Sequence, residues 1–209
     1  MVALIAACMD PAYPARIVKV ISNRTEAAGL KIAADYGIDT QAVPHRDYDS
    51  REAHEAALNA ALQAAKPDIV CLAGYMRLFT PGFVKAWSGR MINIHPSLLP
   101  SFKGVDTHER ALEAGCRIHG CSVHFVTADM DEGPIIAQAA VPVLGGDTPD
   151  SLAARVLKAE HRLYPMALRM VADRTVRMAA GRAAFSGLAE RDETFMLVSP
   201  DQRRGMQVG

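Results

Sequence analysis

Two polar residues that could act on a carbonyl group, Asn93 and His95, lie two positions apart in an apolar run at residues 91–95. The run predicts a buried strand, and Pro96 and Pro100 stop further ladder pairing after it. Side chains two apart on a strand point to the same face, so we expect the amide and the imidazole side by side. A neutral amide donor and a ring that titrates near physiological pH suit the stabilisation of an oxyanion. Alternatively, Asn93 satisfies the backbone of a turn and His95 is an ordinary packed imidazole.

A third group that could do chemistry lies in the acidic sequence DMDEGP at residues 129–134. Its turn-forming residues place Asp131 in a loop. A carboxylate near His95 would favour the imidazolium and could relay a proton through water. The same residues could instead form an ordinary solvated turn. They do not match the pattern of an EF-hand, so they do not indicate a calcium site.

The patterns around these residues predict an α/β fold. Apolar periodicity and capping residues predict helices at residues 3–8, 26–36, 51–65, 79–87, 107–114 and 151–172, the last of them kinked or interrupted by Pro165. Strand patterns occur at residues 17–23, 40–43, 67–74, 91–95, 120–127 and 134–143, and a hairpin is predicted at 176–178 and 183–185. This order indicates a doubly wound, mostly parallel central sheet with an antiparallel addition in the C-terminal half. In such a sheet ligands bind at the carboxyl ends of the strands, where Asn93 and His95 fall.

Two of the strands and one loop carry further predictions. The unbroken apolar middle of residues 67–74 predicts burial on both faces, as in a parallel sheet. Residues 120–127 alternate in part, which predicts one polar face. His124 lies on that face and is either a partner of the site or a packed or surface histidine. Residues 74–79 form either the wall of an aromatic ligand pocket or an ordinary helix entry.

Length and charge limit the classes of function. The chain has 209 residues, 50% of them hydrophobic, which is enough for one full core. We therefore assign residues 1–190 to a single domain followed by a polar tail at 191–209. The balance of 23 basic and 23 acidic residues argues against nucleic acid or an anionic membrane as the main partner. No apolar run is long enough to span a membrane and residues 1–9 lack the basic region of a secretory signal, so we expect a cytoplasmic protein.

The cysteines support that expectation. The four cysteines are scattered along the chain, which favours reduced thiols over a disulfide framework. Cys116 and Cys121 flank His119, so a zinc site has to be considered. Their spacing does not match a paired C-x-x-C arrangement and the chain has no second pair, so we predict no metal.

Four motifs in one order carry a family resemblance. They read NIHPSLLP at residues 93–100, SFKG at 101–104, HGCSVHFVT at 119–127 and DEGPIIAQ at 131–138. In this order and spacing the chain resembles the phosphoribosylglycinamide formyltransferase family, from about residue 1 to residue 180. Four motifs in register are far more specific than any one of them. The resemblance implies the formyltransferase fold.

The resemblance also implies a reaction. The formyl group of 10-formyltetrahydrofolate would pass to the glycyl amine of glycinamide ribonucleotide, a step of purine biosynthesis. Asn93, His95 and Asp131 stand where the family has its catalytic asparagine, histidine and aspartate. The amine would attack the formyl carbon directly, Asn93 and protonated His95 would stabilise the oxyanion, and Asp131 would hold His95 and help to move the proton through water. The implied partners are these two small molecules, with no metal, nucleic acid or membrane, and the implied enzyme is a monomer or homodimer.

Further residues match binding positions of the family. Glu160 matches a residue that holds the nucleotide substrate, and His124 and Ser122 are expected to support the site from behind. The positions that match folate contacts are Arg51, Met76, Arg77, Leu78, Phe79, Asn93, Thr127, Ala128, Asp129, Met130 and Asp131. Arg51 and Glu160 could also be ordinary charges on helix surfaces.

One departure and three alternatives stay open. Family members begin with a strand and a loop rich in Gly, Ser and Asn that binds phosphate, whereas this chain opens in a helix pattern. We therefore expect that the natural start lies upstream and that the strand and the phosphate loop are missing here. Formyltetrahydrofolate deformylase has an extra N-terminal domain and a different sequence at residues 96–98. Methionyl-tRNA formyltransferase has a basic C-terminal domain that this neutral chain lacks. A non-catalytic folate or nucleotide binder is the alternative from another class.

Overall fold

The computed structural model describes residues 1–187, and the predicted polar tail at 191–209 lies outside the described residues. The helices are α1 (Val2–Cys8), α2 (Ala28–Asp35), α3 (Arg51–Ala65), α4 (Pro81–Ala86), α5 (Thr107–Glu113) and α6 (Pro149–Ala172). The strands are β1 (Val20–Ser22), β2 (Thr40–Ala42), β3 (Val70–Leu72), β4 (Met91–His95), β5 (Ile118–Phe125), β6 (Ile135–Pro142), β7 (Val176–Ala179) and β8 (Arg182–Phe185). None of the described helices is both long and apolar enough to cross a membrane.

The strands form one larger sheet and two pairs. The larger sheet has the order β3-β4-β5-β6, with β3 and β4 parallel and with β5 and β6 antiparallel to their neighbours. β1 and β2 form a separate parallel pair, and β7 and β8 form the predicted hairpin. The parallel first half and the antiparallel addition in the second half are confirmed.

A cleft of about 1590 Å³ lies between the two parallel pairs. Its walls include Val20 and Ile21 of β1 and Val70 and Cys71 of β3. Within residues 1–187, β1 pairs with β2 alone and β3 with β4 alone, so the facing edges of β1 and β3 have no strand partner. β3 packs against an apolar cluster on each face, as predicted, with Cys71 on one side and Val70 and Leu72 on the other. All three residues are nevertheless only partly buried.

β4 separates two apolar clusters because its residues alternate between the faces of the sheet. Ile92 lies in the larger cluster, which includes Val156 of α6, and Ile94 packs against that cluster. Met91 lies in the smaller cluster with side chains of α3 and α4. Asn93 shares the parity of Met91, so it projects from the face opposite α6.

β5 is buried along nearly its whole length, including its predicted polar face. His119, Ser122 and His124 have at most 2% of their surface exposed. Ser122 and His124 share one face, which is covered because residues 96–106 leave β4 and return across it, as the contacts below show. His119 has the opposite parity, and its ring contacts those of Phe102 and His108. The polar face exists, but it faces this segment rather than solvent.

Capped helix starts and one internal proline shape the helical layer. Ser50 caps α3 and Thr148 caps α6, each accepting a hydrogen bond from a backbone amide of the first turn. α6 continues through Pro165, so of the two predicted effects the interruption is wrong and the kink stays a prediction. A buried apolar face over the length of the helix outweighs the loss of one hydrogen bond, about 3 kcal/mol. Tyr13 also anchors the helix, since its hydroxyl donates to the Pro165 carbonyl at 2.6 Å.

Tyr164 ties α6 to the two parallel strands that lead into the site. Its side chain is buried, with 4% of the residue exposed. The hydroxyl lies 2.8 Å from the Leu72 carbonyl oxygen and 3.1 Å from that of Ile92. One hydroxyl proton is thus shared between β3 and β4 at the point where their pairing ends.

The Tyr164→Phe variant tests this tie. It leaves the two buried carbonyls without their donor, so we expect the free energy of unfolding to fall by about 1–3 kcal/mol. Urea denaturation followed by circular dichroism measures the change. Tyr36→Phe is the matched control, because Tyr36 is 50% exposed and its change should be within about 0.5 kcal/mol. Equal stability of the two variants would show that the Tyr164 hydroxyl contributes nothing.

A bidentate ion pair closes the connection between β6 and α6, and it makes stability depend on pH. Asp147 accepts from Arg155 at 2.6 and 2.9 Å. It also accepts from the Leu144 amide and the Ser151 hydroxyl. The Arg155 guanidinium holds the pKa of the Asp147 carboxyl well below its usual range. Because the folded pKa lies below the unfolded value of about 3.9, this stabilisation is full above about pH 4 and is lost as the pH falls further.

For Asp147→Asn we therefore expect a loss of about 1–2 kcal/mol in the free energy of unfolding at pH 7. The difference between wild type and variant should shrink at pH 3, because the Asp147 carboxyl of the unfolded wild-type chain is then largely protonated while that of the folded protein is still charged. Urea denaturation at both pH values measures it. A difference that is constant from pH 7 to pH 3 contradicts this account.

Candidate active site

Four polar side chains converge on the paired part of β4 and β5. The Asp131 carboxylate lies between two imidazoles, with Oδ2 3.4 Å from His95 Nδ1 and Oδ1 3.7 Å from His124 Nε2. Asn93 Nδ2 lies 3.4 Å from the same His124 nitrogen. The structure thus brings the predicted Asn93, His95 and Asp131 together and adds His124 in direct contact with two of them.

Strand pairing explains this convergence. In the antiparallel register of β4 and β5, Asn93 is opposite His124 and His95 is opposite Ser122. Directly opposed residues project from the same face of a sheet, so the side chains of these two residue pairs share one patch, which Asp131 joins from a loop. Their positions therefore follow from the alternation of two strands.

Asp131 reaches this patch from the connection between β5 and β6. Its backbone is left-handed, with φ 55°, a conformation that Asp tolerates better than most residues. Two residues later, Gly133 passes so close to β5 that a β-carbon there would overlap the carbonyl oxygen of Phe125. The loop can approach the two histidines because this position has no side chain.

Residues 96–106 supply backbone partners for the site. The carbonyl oxygen of Phe102 lies 3.0 Å from His95 Nε2, and the Gly104 amide donates to Asp131 Oδ2 at 2.9 Å. Because a carbonyl only accepts, His95 Nε2 carries a proton and Nδ1 is the nitrogen that faces the carboxylate. Phe102 and Gly104 both have positive φ, at 53° and 80°, which turns these groups toward the site.

Ser122 holds the start of that segment. Its hydroxyl donates to the Ser97 carbonyl at 2.7 Å and accepts from the Leu99 amide at 3.0 Å and from Gln138 Nε2 at 2.8 Å. Gln138 also donates to the Leu99 carbonyl. Every hydrogen-bonding position of this buried hydroxyl is used. Ser122 thus supports the site through the backbone of residues 97–99.

A second set of contacts joins residues 96–106 to the Asp131 loop and to α5. Lys103 Nζ lies 2.7 Å from Glu132 Oε1, with both side chains partly exposed. Arg110 donates to the carbonyls of Lys103 and Val105. The segment that provides Phe102 and Gly104 is therefore held at both ends.

Burial keeps the surrounding imidazoles neutral. It lowers the pKa of His124, and it lowers that of His119 to about 4, with a further decrease from the charge of His108. The pKa of His108 is lowered for the same reason. The rings of His119 and His108 meet edge to face, and His119 also contacts the Phe102 ring in this way. Burial thus disfavours the charged form of each of these three rings.

The other predicted binding residues are not among the four converging side chains. Arg51 begins α3, and Glu160 lies in α6 with its pKa raised by burial. Neither makes a polar contact with the four converging side chains in the described part of the chain. Met76 and Leu78 are 78% and 59% exposed. The other predicted folate contacts precede Asp131 in its loop, at Thr127, Ala128, Asp129 and Met130.

An aromatic wall continues from these exposed residues. The rings of Tyr75, Phe79 and Phe83 stack nearly parallel, with centroids 4.7 and 4.4 Å apart. Tyr75 and Phe79 also line the large cleft, whereas Asn93, His95 and Asp131 do not. The aromatic wall therefore belongs to the cleft, and the polar cluster lies outside it.

Sequence reasoning missed the backbone partners and the buried histidine pair. Gly104 carries a weak signal because glycine marks a backbone with positive φ, but Phe102 carries none. Cys116, His119 and Cys121 were considered for zinc, and within residues 1–187 no three His, Cys, Asp or Glu side chains are arranged to hold a metal ion.

Comparison with known proteins shows extensive similarity. The chain matches the family described as formyl transferase over residues 1–168. The phosphoribosylglycinamide formyltransferase of Escherichia coli (strain K12) is 43% identical over 185 residues, which cover 88% of this chain and 87% of that protein. The trifunctional purine biosynthetic protein adenosine-3 of Bos taurus is 49% identical over 176 residues, 84% of this chain and 17% of that protein. The chain spans less than a fifth of the trifunctional relatives it matches.

Solved structures of similar proteins show the same fold. Glycinamide ribonucleotide transformylase 1 from Symbiobacterium toebii has a TM-score of 0.84 and 47% identity, covering 88% of this chain and 86% of that one. Formyltetrahydrofolate deformylase from Burkholderia mallei ATCC 23344 has a TM-score of 0.79 and 29% identity, covering 88% of this chain and 65% of that one. The predicted formyltransferase fold is confirmed.

The close approach at Gly133 gives a test of the loop geometry. For Gly133→Ala we expect the Asp131 loop to shift away from β5 and the free energy of unfolding to fall by about 1–3 kcal/mol, because the new β-carbon meets backbone rather than a flexible side chain. Urea denaturation measures the change. Gly145→Ala is the matched control, since nothing lies within 4 Å of its β-carbon position. A Gly133→Ala protein as stable as the control would contradict the observed approach.

Proposed function

Since the chain belongs to the formyl transferase family, we propose that it transfers the formyl group of 10-formyltetrahydrofolate to the glycyl amine of glycinamide ribonucleotide. The observation that carries this proposal is the convergence of Asn93, His95 and Asp131 on one face at the end of β4. Similarity to proteins named phosphoribosylglycinamide formyltransferase supports the substrate pair.

In this proposal Asn93 and His95 stabilise the charge that forms on the formyl oxygen. The amine attacks the formyl carbon, and the carbonyl bond opens to a tetrahedral intermediate with a negative oxygen. Asn93 Nδ2–H is one donor to that oxygen. His95 Nδ1–H is the other, because Nε2–H is already used by the Phe102 carbonyl. The 3.4 Å between Nδ1 and Asp131 is longer than the 2.7–2.9 Å typical of a charge-assisted hydrogen bond, which leaves this proton available to substrate.

Asp131 supplies the negative charge that holds His95 protonated, and it receives the proton of the attacking amine through water. That proton must finally reach the departing folate nitrogen as the carbon–nitrogen bond to folate breaks. The Gly104 amide keeps one carboxylate oxygen in place, so the other is free to exchange a proton. No covalent intermediate with the enzyme is needed.

Binding residues complete the proposal. We assign folate contacts to Arg51, to residues 76–79 and to residues 127–131, and we assign a contact with the nucleotide to Glu160. The exposure of Met76 and Leu78 suits a surface that an aromatic pterin ring covers. Both partners are small molecules and the proposed location is the cytoplasm, where the four cysteines, which are free thiols, would stay reduced. The state of assembly, monomer or homodimer, stays a prediction.

The test is formyl transfer measured by the absorbance of released tetrahydrofolate, with and without glycinamide ribonucleotide. We expect release only when the nucleotide is present. Release without nucleotide would instead indicate the deformylase, whose structural relative is less similar to this chain. Folate binding without any release would leave the non-catalytic binder.

Variants then assign the roles. Asn93→Ala and Asp131→Asn should each lower kcat by about 10²–10³, because each removes a group that acts in the transition state. Asp35→Asn is the matched control, since Asp35 is exposed at the end of α2. Retention of wild-type kcat by either site variant would refute its assigned role.

A further inference from the structure

The hydrogen bonds of His124 determine which of its nitrogens carries a proton. Nδ1 lies 2.9 Å from the carbonyl oxygen of Phe125, and a carbonyl can only accept, so Nδ1 is protonated. Nε2 faces Asn93 Nδ2 at 3.4 Å and Asp131 Oδ1 at 3.7 Å. In a neutral ring Nε2 therefore carries a lone pair, which accepts a hydrogen bond from the Asn93 amide.

The competition between two imidazoles for one carboxylate favours a neutral His124. His95 is the nearer ring, at 3.4 Å, and has an acceptor at each nitrogen, the Phe102 carbonyl and Asp131. His124 is farther from the carboxylate and has the Asn93 amide beside its second nitrogen. A second positive ring in this buried patch would also repel His95. Burial, which lowers the pKa of His124, acts in the same direction.

We propose that His124 is a positioning residue whose neutral, Nδ1-protonated ring orients the Asn93 amide. This inference rests on the proposed function, because it concerns the group that would stabilise the formyl oxygen. With Nε2 accepting one N–H, the second N–H of the amide stays free for the reacting oxygen. If the amide were reversed, its carbonyl oxygen would face Nε2, and a hydrogen bond there would require a second proton on the ring. The position now occupied by Nδ2 would then hold an oxygen and could donate nothing to the substrate.

The protonation state can be read directly in the wild-type protein. Nitrogen-15 NMR at pH 7 should show a neutral His124 ring with the proton on Nδ1. His54 is an internal reference in the same spectrum, because its Nε2 lies 3.0 Å from the Val43 carbonyl and a neutral ring there carries its proton on Nε2. A doubly protonated His124, or a neutral ring protonated on Nε2, would overturn the proposal. This readout does not depend on activity, so it separates failure of the inference from failure of the proposed function.

Two substitutions distinguish the contact of the His124 ring with the Phe125 carbonyl from its contact with Asn93. In His124→Asn the side-chain amide can replace Nδ1 as donor to Phe125 but cannot reach Asn93. In His124→Gln the longer side chain can offer an oxygen near the former Nε2 position. If His124 orients Asn93, the Asn variant should lose about tenfold to a hundredfold in kcat with KM little changed, and the Gln variant should retain more kcat. If the ring only supports the Phe125 carbonyl, the Asn variant should be the more active, and that order would overturn the proposal.

A double-mutant cycle completes the test. In an Asn93→Ala background, His124→Asn should cost less than about twofold in kcat, because the amide that it orients is already gone. An undiminished loss in that background would show that His124 acts independently of Asn93. Urea denaturation of each variant identifies a protein that has lost its fold, and for such a variant the NMR result on the wild type decides.

Discussion

The site depends on one carboxylate held at a fixed position between two imidazoles. Asp131 is kept there by the Gly104 amide and by a loop that reaches β5 because residue 133 is a glycine. The two rings meet this carboxylate with different hydrogen-bond partners. His95 has the Phe102 carbonyl at its second nitrogen, whereas His124 has the Asn93 amide beside the nitrogen that faces Asp131.

Residues 96–106 convert this patch from a polar sheet face into a closed site. The segment covers part of the face, and at the same time it supplies backbone groups that replace water as partners of His95 and Asp131. Ser122 and Gln138 hold its beginning through a hydroxyl with every bonding position filled. A network in which every hydrogen-bonding position is filled is rigid. A rigid site can hold its donors at the point where charge develops in the transition state.

Sequence reasoning could place the chemical groups because their signals are local. Asn93 and His95 lie two apart on a strand, and Asp131 lies among turn residues, so parity places the first two side by side and turn preferences place Asp131 in a loop. That this loop meets His95 was implied by the family resemblance. The partners of these groups were not predictable in the same way. A backbone carbonyl such as that of Phe102 has no residue type to mark it. The burial of His124 depends on a distant segment folding over it, and the half-burial of β3 depends on whether a neighbouring strand is present.

A crystal structure with a folate analogue that carries a tetrahedral, oxygen-bearing carbon in place of the formyl group tests the central claim most directly. It shows where the oxyanion of the reaction would lie. We expect that oxygen within about 2.7–3.1 Å of both Asn93 Nδ2 and His95 Nδ1, with the Asp131 carboxylate still beside His95. An oxygen that contacts neither donor, with both side chains in the positions described above, would contradict the account.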